Sequence, residues 1–440
     1  MSVPTSARAP SAFTFPGLRW WIATLVFLAT VIGYIDRLTL SVLAPVICAD
    51  LHLSNLQYAT ISTSFLFAYA LSMFLFGLVQ DRVGTRIGFG AAMIVWSLAE
   101  LGHAFARGLA SLSFFRFLLG IGEGGHWPAA TKTVAEWLPP RDRALGMGIA
   151  NSGAALGSAI APPLVVWMQL HYGWKTTFVA TAALGAFWLA LWFTTYEIPR
   201  RHRWLGSKER ALIESGSSVS DARSRRTMRW VEVLRDPNAI GIVIARFFGD
   251  PVWWLYLIWL PLYLAKARGF SLKEIGMYAW IPYVSADLGA LSGGLMSGYL
   301  LRRGYSVFRA RGTAIVFSAA LTPAALLVAG ARSSAAAIFF MSVVLFAFQF
   351  WIGNVQTLQS DLFPSERVAS VAGLSGTSAG LGAILFTLRT GWVVDHFSYA
   401  PILFASGFLV PLGTIILFIF LYASGRASVQ SAAKTNLVSE

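Results

Sequence analysis

Charge is scarce in this chain. Only 12% of its 440 residues are Asp, Glu, Lys or Arg, against 56% hydrophobic residues. A soluble domain carries roughly twice that charge, so a water-soluble globule is excluded. Mean hydropathy is +0.63. Cysteine is nearly absent. The single Cys48 rules out an intramolecular disulfide and any cysteine-only metal site. No pair of histidines has clear ligand spacing, and no nucleophile elbow, phosphate loop or folded soluble segment is visible. The composition therefore argues against an enzyme or a receptor, and no metal or cofactor is expected.

Long apolar runs fill the chain instead. Runs able to span a bilayer fall at about 20–47, 55–79, 87–105, 109–134, 142–168 and 174–196, then at 238–264, 274–300, 312–330, 334–360, 367–391 and 398–424. The first lacks a cleavage motif after a short apolar core, so it reads as a spanning helix and not a removable signal. The 40 glycines and 18 prolines suit kinked, closely packed spans. The expected fold is an all-α integral membrane protein of twelve transmembrane helices in two six-helix bundles. The expected divisions are a tail over 1–19, a bundle over 20–196, a basic loop over 197–237, a second bundle over 238–424 and a tail over 425–440.

The net charge of +14 does not point to nucleic acid, because its distribution follows topology. With the N-terminus inside, the outer loops hold only Arg107, Lys175, Lys266, Arg268, Lys273 and Arg332. Nearly all remaining basic residues fall inside, including those from Arg200 to Arg235. The positive-inside rule thus places both ends in the cytoplasm, and the basic loop would meet anionic lipid headgroups. An internal repeat supports the two halves. Glu136-Trp-Leu-Pro-Pro-Arg-Asp-Arg matches the stretch from Asp361, and Ala154-Ala-Leu-Gly157 matches Ala379-Gly-Leu-Gly382. Parallel halves of this kind describe a rocking transporter with its site between the halves. The repeat and the hinge-like glycines fit alternating access better than a channel.

A few charges interrupt the apolar runs: Arg37, Arg116, Arg246 and Arg389, with Asp36, Glu123, Asp250 and Asp287. A charge at mid-bilayer costs at least ~2.5–3.5 kcal/mol, so such groups mark a ligand or proton path. Cations beside titratable acids suggest an anion and a proton crossing together. In the fourth run Arg116, Gly120, Glu123 and Trp127 share one helical face. Arg116 and Glu123 either flank a ligand or lock the bundle as an ion pair. Asp36 and Arg37 are adjacent and point about 100° apart. Arg37 can offer a planar fork to a carboxylate, leaving Asp36 free to titrate or to serve as a fixed partner of an arginine. Tyr34, Tyr69, Asn151 and Asn354 are candidate hydroxyl or amide partners for a polar ligand, or packing and helix-joining groups. Trp253 and Tyr256 share a face of the seventh run, with Trp254 and Trp259 elsewhere on it. Trp280, Tyr283 and Asp287 share a face of the eighth. One or two of these rings would stack on a sugar. Asp287 is a third proton candidate. Arg246 and Asp250, four apart, can pair, and Pro251 should break the backbone ladder locally.

Several stretches resemble a known family. Gly77-x-x-x-Asp81-Arg82-x-Gly84-x-Arg86 resembles the signature loop of the major facilitator superfamily. Tyr34-Ile-Asp-Arg-Leu-Thr-Leu-Ser41, Arg116 through Ala129, Lys132 through Trp137, Asp250 through Pro261, Tyr278 through Tyr283 and Asn354 through Pro364 resemble its anion:cation symporters, and most of all the hexuronate transporters. Gly125-His126 departs from that pattern, in which other small or polar residues are expected. The resemblance implies proton symport of a sugar acid by a rocker switch in a bacterial inner membrane. Galacturonate or glucuronate is the expected cargo, galactonate or glucarate the alternative. Exchange of organophosphate for phosphate would also use two arginines, but needs no acids beside them. The matching positions would bind substrate at Tyr34, Arg37, Tyr69, Arg116, Trp127, Asn151, Trp253, Tyr256, Tyr283 and Asn354. They would couple protons at Asp36, Glu123 and Asp287, and gate through Gly77, Asp81, Arg82, Gly84 and Arg86. The expected partners are the sugar acid, protons and membrane lipids, and the expected state is a monomer.

Overall fold

The computed structural model describes residues 14–214, 235–363 and 365–438. Helix dominates, and no strand occurs among the described residues. In a bilayer every backbone polar group must be satisfied within its own segment, which helices achieve. The first six spans are built from α1 (Leu18–Asp50), α2 (Asn55–Val83), α3 (Thr85–His103), α4 (Leu109–Gly124), α5 (His126–Trp137) and α6 (Pro140–Thr195). A short α7 (Ser207–Glu214) follows them. The last six spans are built from α8 (Pro237–Arg268), α9 (Leu272–Tyr278), α10 (Ile281–Arg302), α11 (Val307–Leu321), α12 (Ala324–Gly330), α13 (Ser334–Leu362), α14 (Ser365–His396) and α15 (Ala400–Val438). The chain thus has the twelve-helix plan, with the fourth, eighth and ninth spans each made of two pieces.

Local chemistry sets the joints. The fourth span breaks at Gly125, between α4 and α5. The fifth and sixth spans run together as α6 except at Gly173, whose φ of 82° lies where only glycine is comfortable. Asp236, Ser306 and Ser333 cap the helices that follow them, each accepting from a backbone N–H of the first turn. That supplies one of the bonds a helix start lacks. Large apolar side chains such as Leu98, Phe105, Leu291, Leu295 and Ile419 remain exposed, the outer face of a protein solvated by lipid.

The chain divides into two compact units. The first comprises residues 1–43 and 64–224, the second 44–63 and 225–440. In the first, α3 packs against α4 and α6. In the second, α10 packs on α13, and α8 packs on both α14 and α15. The start of α2 belongs to the second unit, where Asp395 accepts bonds from the Asn55 amide and the Leu56 N–H, and the Tyr58 hydroxyl donates to the Ile258 carbonyl.

The sequence repeat reappears as packing. A Cβ at Gly157 would stand 2.6 Å from the Val31 carbonyl of α1, and one at Gly382 would stand 2.1 Å from the Phe247 carbonyl of α8. The matched glycines thus let matched helices touch backbone to backbone. Phe247 is also the residue whose carbonyl Pro251 leaves without its ladder donor. The helix nevertheless runs through Pro251 and Pro261 as one element.

Candidate functional site

The intramembrane charges of the first unit meet in one place. Arg37 of α1 donates through Nε to Glu123 of α4 in a very short contact. Glu123 is fully buried. Around the Arg37 guanidinium stand three rings, with centroids at 4.8 Å for Tyr69, 5.1 Å for Tyr34 and 5.7 Å for Phe65. Such cation–π contacts are worth ~0.5–2 kcal/mol each when desolvated. They enclose the guanidinium. Arg116 of α4 donates to the Arg37 carbonyl at 3.5 Å, and its guanidinium lies 5.8 Å from the Phe65 ring.

Asp36 points away from Arg37, as adjacency on a helix requires. Its Oδ2 accepts from Trp96 Nε1 at 2.6 Å. Its Oδ1 and the Oε1 of Glu123 have no hydrogen-bond partner among the described residues. A buried oxygen left so costs ~1–3 kcal/mol or more, which makes both acids the places where a proton or ligand is wanted.

A small cavity opens on this group. It is lined by Thr30, Tyr34, Arg37, Trp96, Glu123, His126 and Trp127, with Ala29 and Gly33. His126 Nε2 meets Thr30 Oγ1 at 2.9 Å. The Val26 carbonyl lies 3.1 Å from the same hydroxyl and can only accept from it, so Nε2 donates to Thr30. That leaves Nδ1 as a buried acceptor with no partner among the described residues. Close approach of the helices makes the site possible. A Cβ at Gly120 would meet the Phe65 carbonyl at 2.5 Å, and one at Gly122 the Trp96 N at 2.5 Å.

Of the residues singled out by sequence, the first unit brings Tyr34, Arg37, Glu123 and Trp127 to the cavity, with Asp36, Tyr69 and Arg116 beside it. Glu123 takes Arg37 as its ion-pair partner and not Arg116. Asn151 is exposed and its amide bonds back to the Met147 carbonyl of its own helix. In the second unit the Tyr283 hydroxyl donates to the Tyr256 carbonyl, and Trp253 lies against Tyr283 and Phe348. Asn354 is buried, its amide donating to the Phe350 carbonyl. Asp287 is half-buried. Arg246 and Asp250 do pair, at 2.6 Å.

In the loop region Arg86 donates to Glu197 and to the Phe193 carbonyl, both at 2.7 Å. Gly84 has a φ of 81°, and Arg82 is exposed. Gly77 lies within α2, and the Asp81 side chain lies outside what the structure describes. Sequence reasoning passed over Trp96, His126 and Glu100. Glu100 carried the clearest missed signal, an acid within the third apolar run. Trp96 and His126 gave none beyond an unusual His in the fourth.

Comparison with known proteins decides the family. The model of the Major Facilitator Superfamily matches residues 26–387. The chain belongs to this superfamily. It is 32% identical over 422 residues to the hexuronate transporter of Escherichia coli (strain K12), covering 96% of this chain and 97% of that one. It is 36% identical over 286 residues to the galacturonate transporter of Dickeya chrysanthemi, covering 64% of this chain and 83% of that one. The crystal structure of a D-xylose-proton symporter superposes with a TM-score of 0.72 at 17% identity, over 91% of this chain and 97% of that one, which speaks for the fold alone. The protein is an integral membrane transporter and not an enzyme.

Proposed function

We propose that this transporter imports a hexuronate, galacturonate or glucuronate, together with a proton, across a bacterial inner membrane by rocker-switch alternating access. Both termini would face the cytoplasm. The observation that carries the reading is the buried Arg37–Glu123 pair at the wall of the cavity. The named relatives and the basic character of the predicted inner loops support it.

The pair accounts for coupling by exchange of partners. A uronate carboxylate seeks the Arg37 fork, which Glu123 occupies. Protonating Glu123 alone would strand Arg37 as a buried, unpaired cation. Removing one partner of a buried pair costs ~3–5 kcal/mol. The anion alone would crowd Glu123 and Asp36 with a third negative charge. Proton and anion together avoid both penalties: Glu123 becomes neutral and the substrate carboxylate replaces it on Arg37. Either passenger alone is therefore disfavoured, which is what symport requires. Tyr34, Tyr69 and His126 would meet the sugar hydroxyls, and Trp127 would offer a ring face. Each inward proton contributes roughly 2.3 kcal/mol per 100 mV of inside-negative potential.

The test is uptake of labelled galacturonate and glucuronate into liposomes holding the purified protein, with and without an inward proton gradient. Gradient-driven accumulation of either uronate supports the reading. Transport of galactonate or glucarate in place of both uronates would keep the mechanism and change the cargo. Uptake indifferent to the gradient would overturn proton symport.

A further inference from the structure

A third acid lies behind the cavity and lines no part of it. Glu100, on α3, is fully buried. Its Oε1 is 3.0 Å from Thr181 Oγ1 of α6. Its Oε2 has no hydrogen-bond partner among the described residues. His103, three residues on, comes only within 3.8 Å of that oxygen. Its Nδ1 is committed elsewhere: the Ala99 carbonyl at 2.8 Å can only accept, so Nδ1 carries a hydrogen and donates there. The imidazole lies flat on Phe178, 4.9 Å between centroids. The other groups that act on Glu100 through charge are Arg116 and Glu123 of α4 and Asp36 of α1.

The donor inventory locates a proton. A threonine hydroxyl has one hydrogen. Thr181 faces two oxygens, Glu100 Oε1 and the Phe178 carbonyl at 3.2 Å. If Glu100 is ionised, both compete for that single hydrogen. If Glu100 is protonated, it donates to Thr181, which donates to Phe178, and the chain is satisfied. The other two acids face groups that only donate, Trp96 Nε1 for Asp36 and Arg37 for Glu123. These partners suit carboxylates. Charge balance agrees: Arg37 and Arg116 match two carboxylates, and the third acid in a dry interior needs a proton.

We propose that Glu100 is a second, separate proton-binding site of the first unit, occupied at neutral pH, which keeps the cluster of three acids and two arginines neutral without touching substrate. It acts as a positioning residue: its proton spares the two arginines a third carboxylate, so their charge can meet the incoming anion. At alkaline pH Glu100 ionises, adds a negative charge beside Arg116 and Asp36, and weakens anion binding. The functional arm of the test rests on the transporter carrying a uronate. The spectroscopic arm does not.

The experiment measures KM and kcat for galacturonate exchange in liposomes without a gradient, from about pH 6 to about pH 9, for wild type and Glu100→Gln. Wild-type KM rises roughly tenfold at the alkaline end with kcat little changed. Glu100→Gln matches wild type at neutral pH and rises less steeply, keeping only the part that Glu123 contributes to both profiles. Identical pH profiles, or a raised KM for Glu100→Gln at neutral pH, would overturn the proposal. Infrared spectra at neutral pH should show a D2O-sensitive protonated-carboxyl band that is lost in Glu100→Gln and kept in Asp287→Asn, a change outside the cluster. Should Glu100→Gln not fold, the wild-type band decides: one that titrates away at alkaline pH supports the site, and its absence overturns it. Uptake blind to a proton gradient would sink symport but leave the band, and so this proposal, standing.

Discussion

Arg37 is used three ways at once: as the ion-pair partner of Glu123, as a cation enclosed by Tyr34, Phe65 and Tyr69, and through its carbonyl as an acceptor for Arg116. A lysine keeps the charge but not the planar fork. Losing one charge-assisted bond costs ~1.5–3 kcal/mol, so Arg37→Lys should raise the KM for uronate roughly 10- to 150-fold, read from initial uptake rates. An unchanged KM would remove Arg37 from substrate binding. The sequence made this residue legible because an arginine in an apolar run is costly unless a partner or a ligand meets it. Its partner was less legible. Spacing places Arg116 and Glu123 on one face of their helix, but the pairing that forms is between helices, and no within-helix period reports that. Glu100 and His126 escaped because their meaning lies in Thr181, Phe178 and Thr30, residues remote in the chain.

At the scale of elements, the helices were readable from length and hydrophobicity, and their joints largely from glycine and proline. Which glycines carry packing was not readable, because a close approach depends on the facing helix. Gly120 and Gly148 look alike in sequence. A Cβ at Gly120 would collide with the α2 backbone, while one at Gly148 meets nothing within 4 Å. Gly120→Leu should therefore lower stability by ~1–3 kcal/mol through overpacking, seen as a lower thermal midpoint in detergent. Gly148→Ala should hold or raise it, since a helical glycine costs ~0.5–1 kcal/mol relative to alanine. Equal midpoints for the two variants would contradict the packing account.

The segment after α6 offers a pH prediction. Burial pushes the His202 imidazole below its ordinary value, partly opposed by its bond to the Thr195 carbonyl. Nε2 donates to that carbonyl at 2.8 Å, and Nδ1 accepts from the Trp204 N–H at 3.2 Å. The bond at Nδ1 needs the neutral ring, because a protonated Nδ1 cannot accept. With the folded value below the unfolded one of ~6.5, the contribution is complete above pH ~6.5 and is lost as pH falls toward the folded value. The thermal midpoint of wild type should drop between pH ~7.5 and pH ~5.5 more steeply than that of His202→Gln. Parallel profiles would contradict the assignment.

At the scale of the whole molecule, the repeat is architectural and not chemical. The matched carbonyls of Val31 and Phe247, each touched by its own glycine, align α1 with its repeat counterpart α8. In that alignment Asp36 and Arg37 correspond to Val252 and Trp253. One copy of the helix carries a charged pair, and the other an aliphatic residue and a ring. The sequence repeat announces two like bundles, but the absence of charge at these two positions of α8, which carries its Arg246–Asp250 pair elsewhere, becomes visible only when packing fixes the register. The first unit gathers Arg37, Arg116, Asp36, Glu123 and Glu100, while α8 of the second keeps the Arg246–Asp250 pair.

The proposed coupling seats the proton on Glu123 and the substrate carboxylate on Arg37 together. It is tested most directly by adding galacturonate to lightly buffered, de-energised liposomes containing the protein and recording external pH. Wild type should alkalinise the medium in step with uronate entry, while Glu123→Gln should exchange uronate across the membrane with no pH change. Uronate entry through wild type without alkalinisation, or equal alkalinisation through Glu123→Gln, would contradict the account.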